Sequence, residues 1–339
     1  MPTWSSISDL TPGNAELRRL IGLRHLESAL SISADDIVIT SGAMEAINLC
    51  LHAVTKPGDT IAIESPTFYS TLLAIERMRL KAVEIATHPR EGINLGALRA
   101  AFGRHDIKAC ILIPTFQNPL GSCMPDDKKR ELADLLAGRG VPLIEDDVYA
   151  ELYFGASRPR PVKAFDRKGL VLHCGSFAKC LAPGYGVGWA APGRFKHAIE
   201  QLKFMTTLTT ASLPQAAIAE YLKYGGFERH LRSLRHRLSL HLDQMRLSLE
   251  SNLPEGCRLT RPEGGYMLWV ELPTAVDALR LHHMALEHHI SIAPGPIFSA
   301  QRRYTNFIRV NFGHPWSKKI DDAVRTLGTL TAELLSEDT

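Results

Sequence analysis

No C-x-x-C pair occurs among the six cysteines, at positions 50, 110, 123, 174, 180 and 257, and their spacing matches no zinc finger or ribbon. Their mostly apolar surroundings predict reduced, buried thiols in a cytoplasmic protein and no metal centre. No run is apolar for the length a membrane span requires, and the opening MPTWSSISDL lacks the basic start and apolar core of a secretory signal. Repeat periods and low-complexity tracts are also missing. Charge of one sign is not in excess: 39 Lys and Arg stand against 36 Asp and Glu, a net +3. That balance speaks against a surface built around nucleic acid. What remains is a chain of 339 residues, 45% hydrophobic, long enough for a large core and about two domains.

From Ile37 to Ala191 short apolar runs alternate with helical patterns. Seven strands are expected, at 37–40, 60–64, 81–86, 108–114, 141–145, 170–174 and 187–191. Segments such as AMEAINLCLHAV (43–54) and DKKRELADLLAG (127–138) separate them, with apolar residues recurring at three and four. Near-continuous apolar strands alternating with helices predict a doubly wound, mostly parallel α/β sheet buried on both faces. Beyond about residue 195 the pattern changes. A long helical stretch runs from Pro214 to Leu249, broken around YGGFERH, and is followed by strands in 264–272 and 306–312 with a helix at 275–289 between them. The expected organisation is an N-terminal segment (1–36) packing with a small domain, a large domain (37–205), and a smaller α+β domain (206–339).

Ligands of open α/β sheets sit at the carboxyl ends of the strands, and those loops carry a consistent set of groups. Ser41 and Gly42 open a helix, whose free N–H groups favour phosphate, although Ser-Gly is also a common N-cap. Phe68 follows the second strand. Asn118 follows the fourth, between a Gln and a Pro, and Asp146 and Tyr149 follow the fifth in EDDVYAEL. Ser176 and Lys179 follow the sixth in GSFAKC. A Ser-x-x-Lys hydrolase also needs S-D-N and K-T-G elements, and neither string occurs. Together the groups fit one ligand, pyridoxal 5'-phosphate: lysine for the aldehyde, aspartate for the ring nitrogen, tyrosine and asparagine for the ring hydroxylate, an aromatic over the ring and a helix start for the phosphate. The histidines of LHHMALEHHI (281–290) have no H-E-x-x-H spacing. In the basic run 229–246, Leu231, Leu234, Leu238 and Leu242 recur at helical spacing, which predicts that the Arg and His residues face solvent.

The ordered set TSGAMEA, ESPTFY, FQNPLG, EDDVYAEL, GSFAKCLAPG, GGYMLWVELP, ISIAPGPIFS and FIRVNFG resembles fold-type I, pyridoxal-phosphate-dependent class I/II aminotransferases. It is most similar to the aminotransferase-like domain of MocR-type regulators of the GntR superfamily. The resemblance implies that Lys179 is the Schiff-base lysine, reacting through an aldimine, and that Ser176 and the backbone of Ala43 and Met44 hold the phosphate. It places Asp146 on the ring nitrogen, Tyr149 and Asn118 on the ring oxygen, Phe68 on the ring face and Arg309 on the substrate α-carboxylate. It also implies a homodimer that takes an amino acid and a 2-oxo acid.

Two departures accompany the resemblance. Seven residues after the lysine the family carries a phosphate-binding arginine, where this chain has Gly186; loss of one charge-assisted contact is expected to weaken cofactor binding by about 1.5–3 kcal/mol. The winged-helix module of the regulators is missing from the residues ahead of Ile37, so the expected chain is a fragment or shortened product without DNA binding of its own. Two functions remain open: amino-group transfer, or an amino-acid-responsive effector domain with little turnover.

Overall fold

Alternation at period two builds the large sheet. In the computed structural model, which describes residues 9–337, eight strands form it: β1 (Val38–Thr40), β2 (Thr60–Ser65), β3 (Lys81–His88), β4 (Gly92–Ile93), β5 (Ile107–Leu112), β6 (Leu143–Asp146), β7 (Val171–Ser176) and β8 (Gly188–Ala191). Their order is β1-β8-β7-β6-β5-β2-β3-β4. The pairs β2/β3, β2/β5, β5/β6 and β6/β7 are parallel, while β8 runs against both β1 and β7. The seven expected strands are present. The eighth, β4, is a two-residue antiparallel edge on β3, too short to leave a periodic signal.

Successive residues of each strand enter different cores. Ile61, Ile63, Ile111, Ile144 and Leu172 face helices α2 (Ala43–Val54), α3 (Tyr69–Arg77) and α6 (Lys196–Thr206). Ala62, Cys110, Leu112, Leu143 and Val171 face α4 (Leu95–Arg104) and α5 (Asp126–Arg139). Burial on both faces is what selected the continuous apolar runs.

The other end of that second face is covered by α1 (Ala15–His25), α7 (Ser212–Lys223) and the first half of α8 (Gly226–Asn252), where Leu17, Ile21, Ile39, Trp189, Ile218 and Phe227 meet. Helix α8 then leaves this cluster. Its second half, through Leu242, Met245 and Leu249, packs with a second sheet and with α9 (Ala278–Glu287) and α10 (Lys318–Glu337). That sheet is antiparallel, ordered β11-β12-β10-β9, from β9 (Arg258–Leu259), β10 (Met267–Glu271), β11 (Ala293–Pro294) and β12 (Phe307–Asn311). A 27-residue helix thus ties the two layers together. The first eight and last two residues of the expected N-terminal and C-terminal segments lie outside the described residues. No helix among the described residues is long and apolar enough to cross a membrane.

The expectation for the basic run needs one correction. Leu231, Leu238 and Leu242 are buried as their spacing predicts. However, the Arg235 guanidinium lies 4.0 Å from the centre of the Tyr153 ring, and a His230 ring nitrogen is 2.9 Å from the Cys180 carbonyl. Arginine covers aromatic surface through its planar head, so a charged position on a helix need not face water.

Candidate functional site

Strands β2, β5, β6 and β7 point the same way, and β1 joins them because β8 is antiparallel to both β1 and β7. Their carboxyl ends therefore share one edge, and the loops leaving that edge carry the groups singled out above.

At the end of β1, Gly42 caps α2 with φ +80° and ψ 176°, a conformation that strains a residue with a side chain. A Cβ on Gly188 of β8 would lie 2.6 Å from the Gly42 carbonyl carbon and 2.9 Å from the Ala43 nitrogen. Two glycines thus let strand and helix start approach with no side chain between them. The Ala43 and Met44 amides, in the first turn, have no carbonyl partner within the helix. The Ser41 amide is different, because it donates to the Glu45 carboxylate. Glu45 also accepts from Thr207 and is 3.1 Å from the buried ammonium of Lys203. That lysine offsets a carboxylate which would otherwise stand against any anion at the helix start.

At the end of β6 the three acidic residues Glu145, Asp146 and Asp147 alternate sides. The Glu145 carboxylate accepts from the Val162 and Lys163 amides at 2.6 and 3.0 Å and lies 3.2 Å from His173 Nδ1. Asp147 is 3.8 Å from both His173 Nε2 and the Arg158 guanidinium. Between them Asp146 takes the opposite face, buried, with a single 3.4 Å bond from the Val148 amide. Burial pushes its pKa up to about 7, a rise that the Val148 hydrogen bond and the Lys179 charge oppose and that Asp147 adds to. A buried carboxylate without a bonded cation has room in its electrostatics for a protonated ring nitrogen.

Beside Asp146 a polar chain runs across the site. The Arg309 guanidinium donates to Asn118 Oδ1 at 3.0 Å, and Asn118 Nδ2 donates to the Tyr149 hydroxyl at 3.4 Å. Tyr149 meets Tyr266 edge-on, ring centres 5.5 Å apart. Burial raises the pKa of both phenols, that of Tyr266 to about 12, so they act as neutral donors. Asn118, Tyr149 and Arg309 were singled out from sequence; Tyr266 was not. Its only signal was its place at the start of the GGYMLWVELP strand.

Lys179 is exposed on the turn after β7. Ser176 is buried, and its hydroxyl donates to the Val187 carbonyl at 3.2 Å and accepts from the Ala178 amide at 3.1 Å. Both of its bonds thus brace the lysine turn. Phe68 is half-buried at the start of α3, its ring 4.7 Å from that of Tyr69. Tyr69, passed over in the sequence, stands nearer to Arg309: the guanidinium is 5.9 Å from the Tyr69 ring centre and 5.1 Å from that of Phe298. Gly186 ends a 3₁₀ turn (Pro183–Tyr185) in the left-handed region, φ +58°, with open space where a Cβ would be.

A buried carboxylate, neutral phenol and amide donors, an amine, a guanidinium and a helix start with free amides form a donor set that suits a phosphorylated pyridine aldehyde and an amino-acid carboxylate. Comparison with known proteins leads the same way. The family model "Aminotransferase class I and II" matches residues 7–327. The chain is 46% identical over 331 residues to the uncharacterized HTH-type transcriptional regulator YdcR of Escherichia coli, covering 98% of this chain and 71% of that one. Among solved structures, Pyrococcus horikoshii kynurenine aminotransferase, in complex with PMP, superposes with a TM-score of 0.90 at 31% identity, covering 97% of this chain and 83% of that one. LysN, the α-aminoadipate aminotransferase of Thermus thermophilus, complexed with N-(5'-phosphopyridoxyl)-L-leucine, gives 0.91 at 29% identity, covering 98% and 85%. With a family model spanning nearly the whole chain and a site of the matching chemistry, the chain belongs to the class I and II aminotransferase family.

Proposed function

We propose that the chain binds pyridoxal 5'-phosphate and moves an amino group between an amino acid and a 2-oxo acid. The observation that carries this reading is the Arg309–Asn118–Tyr149 hydrogen-bond chain beside buried Asp146. It links a carboxylate-binding group to the groups suited to the cofactor ring. Bound, the cofactor supplies an electron sink for the bonding electrons of the substrate Cα. The rest is the work of side chains. Asp146 would hold a proton at the ring nitrogen, Tyr149 and Asn118 would donate to the ring oxygen, and the Ala43 and Met44 amides would take the phosphate. The Arg309 fork takes the substrate carboxylate, a match that lysine would not reproduce. Lys179 would hold the cofactor covalently until the amino group of the incoming amino acid displaces it, and its freed amine would then serve as the base that takes the proton from the substrate Cα. Exposed apolar side chains on α3, α6 and α7 (Leu73, Phe204, Met205 and Leu213) support pairing with a second copy.

The deciding measurement is absorbance. Protein loaded with the cofactor should show a visible band that amino acids bleach, with the matching 2-oxo acid formed. A second reading is favoured by the 46% identity to YdcR and by Gly186: an effector domain of the MocR type, whose band responds to an amino acid without product. Absence of any band defeats both readings.

Gly186→Arg separates two opposing costs. An arginine there gains a charge-assisted bond to the phosphate, about 1.5–3 kcal/mol. It gives up about 1 kcal/mol for a side chain in the left-handed region. That strain is present with and without cofactor, so it lowers stability and not affinity: the expected result is cofactor affinity tighter by about tenfold to a hundredfold, with slightly lower stability of the protein. Unchanged or weaker affinity in a cofactor titration would show that Gly186 does not limit binding.

A further inference from the structure

A cavity of about 370 Å³ lies in the seam between the two sheets, beside the loops that carry Phe68 and Asn118. Its size is within the range of small-molecule sites. Lys179, Asp146, Asn118, Tyr149 and Arg309 do not line it. The floor is apolar and partly flat: Trp269 and Phe307 stack with ring centres 5.5 Å apart and planes 20° from parallel, flanked by Leu120, Leu259 and Pro66. The rim is basic. Arg258 lies 3.7 Å from Glu271, whereas Arg90 and Arg261 have no acidic partner among the described residues, and Glu91 beside Arg90 faces Lys128 instead. Two exposed, unpaired guanidiniums over an aromatic floor offer bidentate recognition of an anion joined to a flat apolar body.

The walls come from both layers and adjoin the site. Gln117 donates to the Pro66 carbonyl at 2.7 Å and accepts from the Leu120 amide at 2.9 Å. It thereby fixes together two loops that carry Phe68 and Asn118 two residues away. On the other wall, Trp269 is paired directly across from Arg309 in the β10/β12 ladder. Residues paired directly across an antiparallel ladder share one face of the sheet, and Trp269 and Arg309 both meet the Phe298 ring, so an occupant would press on the side chains beside Arg309 and on the loop that presents Asn118.

We infer that this seam cavity is a second binding site, for a small aromatic or aliphatic molecule bearing one carboxylate, and that its occupancy changes amino-acid affinity at the Arg309 site. The binding is independent of the function proposed above; the coupling rests on it. The test is calorimetric titration of the full-length, cofactor-loaded protein with indole-3-acetate, with indole and acetate as comparisons. The expected result is one indole-3-acetate per chain, bound about tenfold or more tighter than indole or acetate. Arg90→Ala with Arg261→Ala should weaken it about tenfold or more, and Arg309→Ala less than about twofold. Both rim residues are exposed, so unchanged thermal melting of the double variant serves as the folding control. No binding, or binding lost in Arg309→Ala but kept in the double variant, overturns the site. An amino-acid titration of the visible band that saturating indole-3-acetate leaves unmoved overturns the coupling. A cofactor band that responds to amino acids while indole-3-acetate fails to bind would refute this inference and leave the proposed function standing.

Discussion

Lys179→Ala is expected to abolish the visible band of cofactor-loaded protein and to lower amino-group transfer roughly 10⁴-fold or more. Two proposed functions would be lost at once: covalent attachment of the cofactor and the amine assigned to move the Cα proton. The fold should survive, because Lys179 is exposed and forms no hydrogen bond or ion pair among the described residues. The turn is held instead by Ser176, whose hydroxyl joins the Val187 carbonyl to the Ala178 amide. A visible band that persists in Lys179→Ala at unchanged wavelength would mean that another amine holds the cofactor. Partial rescue of turnover by added small amines is expected, since they restore a base but not the tether.

Asp146→Asn should act with opposite signs on the cofactor-free and the loaded protein. The folded-state pKa of Asp146, about 7, lies above its ordinary 3.8. The native state therefore binds this proton more tightly than the unfolded chain does. Stability from the group is complete below about pH 4 and is lost as pH rises to about 7. At pH 8 the ionised, buried carboxylate costs the cofactor-free protein at most about 4 kcal/mol. Asparagine cannot ionise, so the variant should be more stable than the parent in urea unfolding at pH 8, with the difference vanishing near pH 4. With cofactor bound the order reverses. Removing the partner of a buried ring cation costs about 3–5 kcal/mol, a hundredfold to a few thousandfold in turnover. Equal stability of the two cofactor-free proteins at pH 8 would show that Asp146 is already neutralised within the chain.

Much of the architecture was legible because burial on both sheet faces writes itself into composition. The run TIAIE appears as Thr60–Ser65, and AMEAINLCLHAV appears residue for residue as Ala43–Val54. Ser41, Phe68, Asn118, Asp146, Tyr149, Ser176 and Lys179 were singled out as polar or aromatic groups in loops after strands, which strands running one way deliver to one edge, whereas Arg309, inside β12 of the second sheet, came from the family resemblance.

Other features depend on contacts between distant residues, and no local pattern encodes them. Glu45 takes the Ser41 amide, which removes that donor from the helix start, and it does so with Lys203 and Thr207, about 160 positions along the chain. Tyr266 reaches Tyr149 only because β10 of the second sheet is laid against the first. Ser176 directs its hydroxyl to the backbone because β7 and β8 pair in a register that puts the Val187 carbonyl within reach. The sequence by itself determined the periodicity and the residue types offered at the strand ends. Only the tertiary structure decided which of those groups remain free for a ligand, because a donor or acceptor is spent by whichever partner packing brings within about 3 Å.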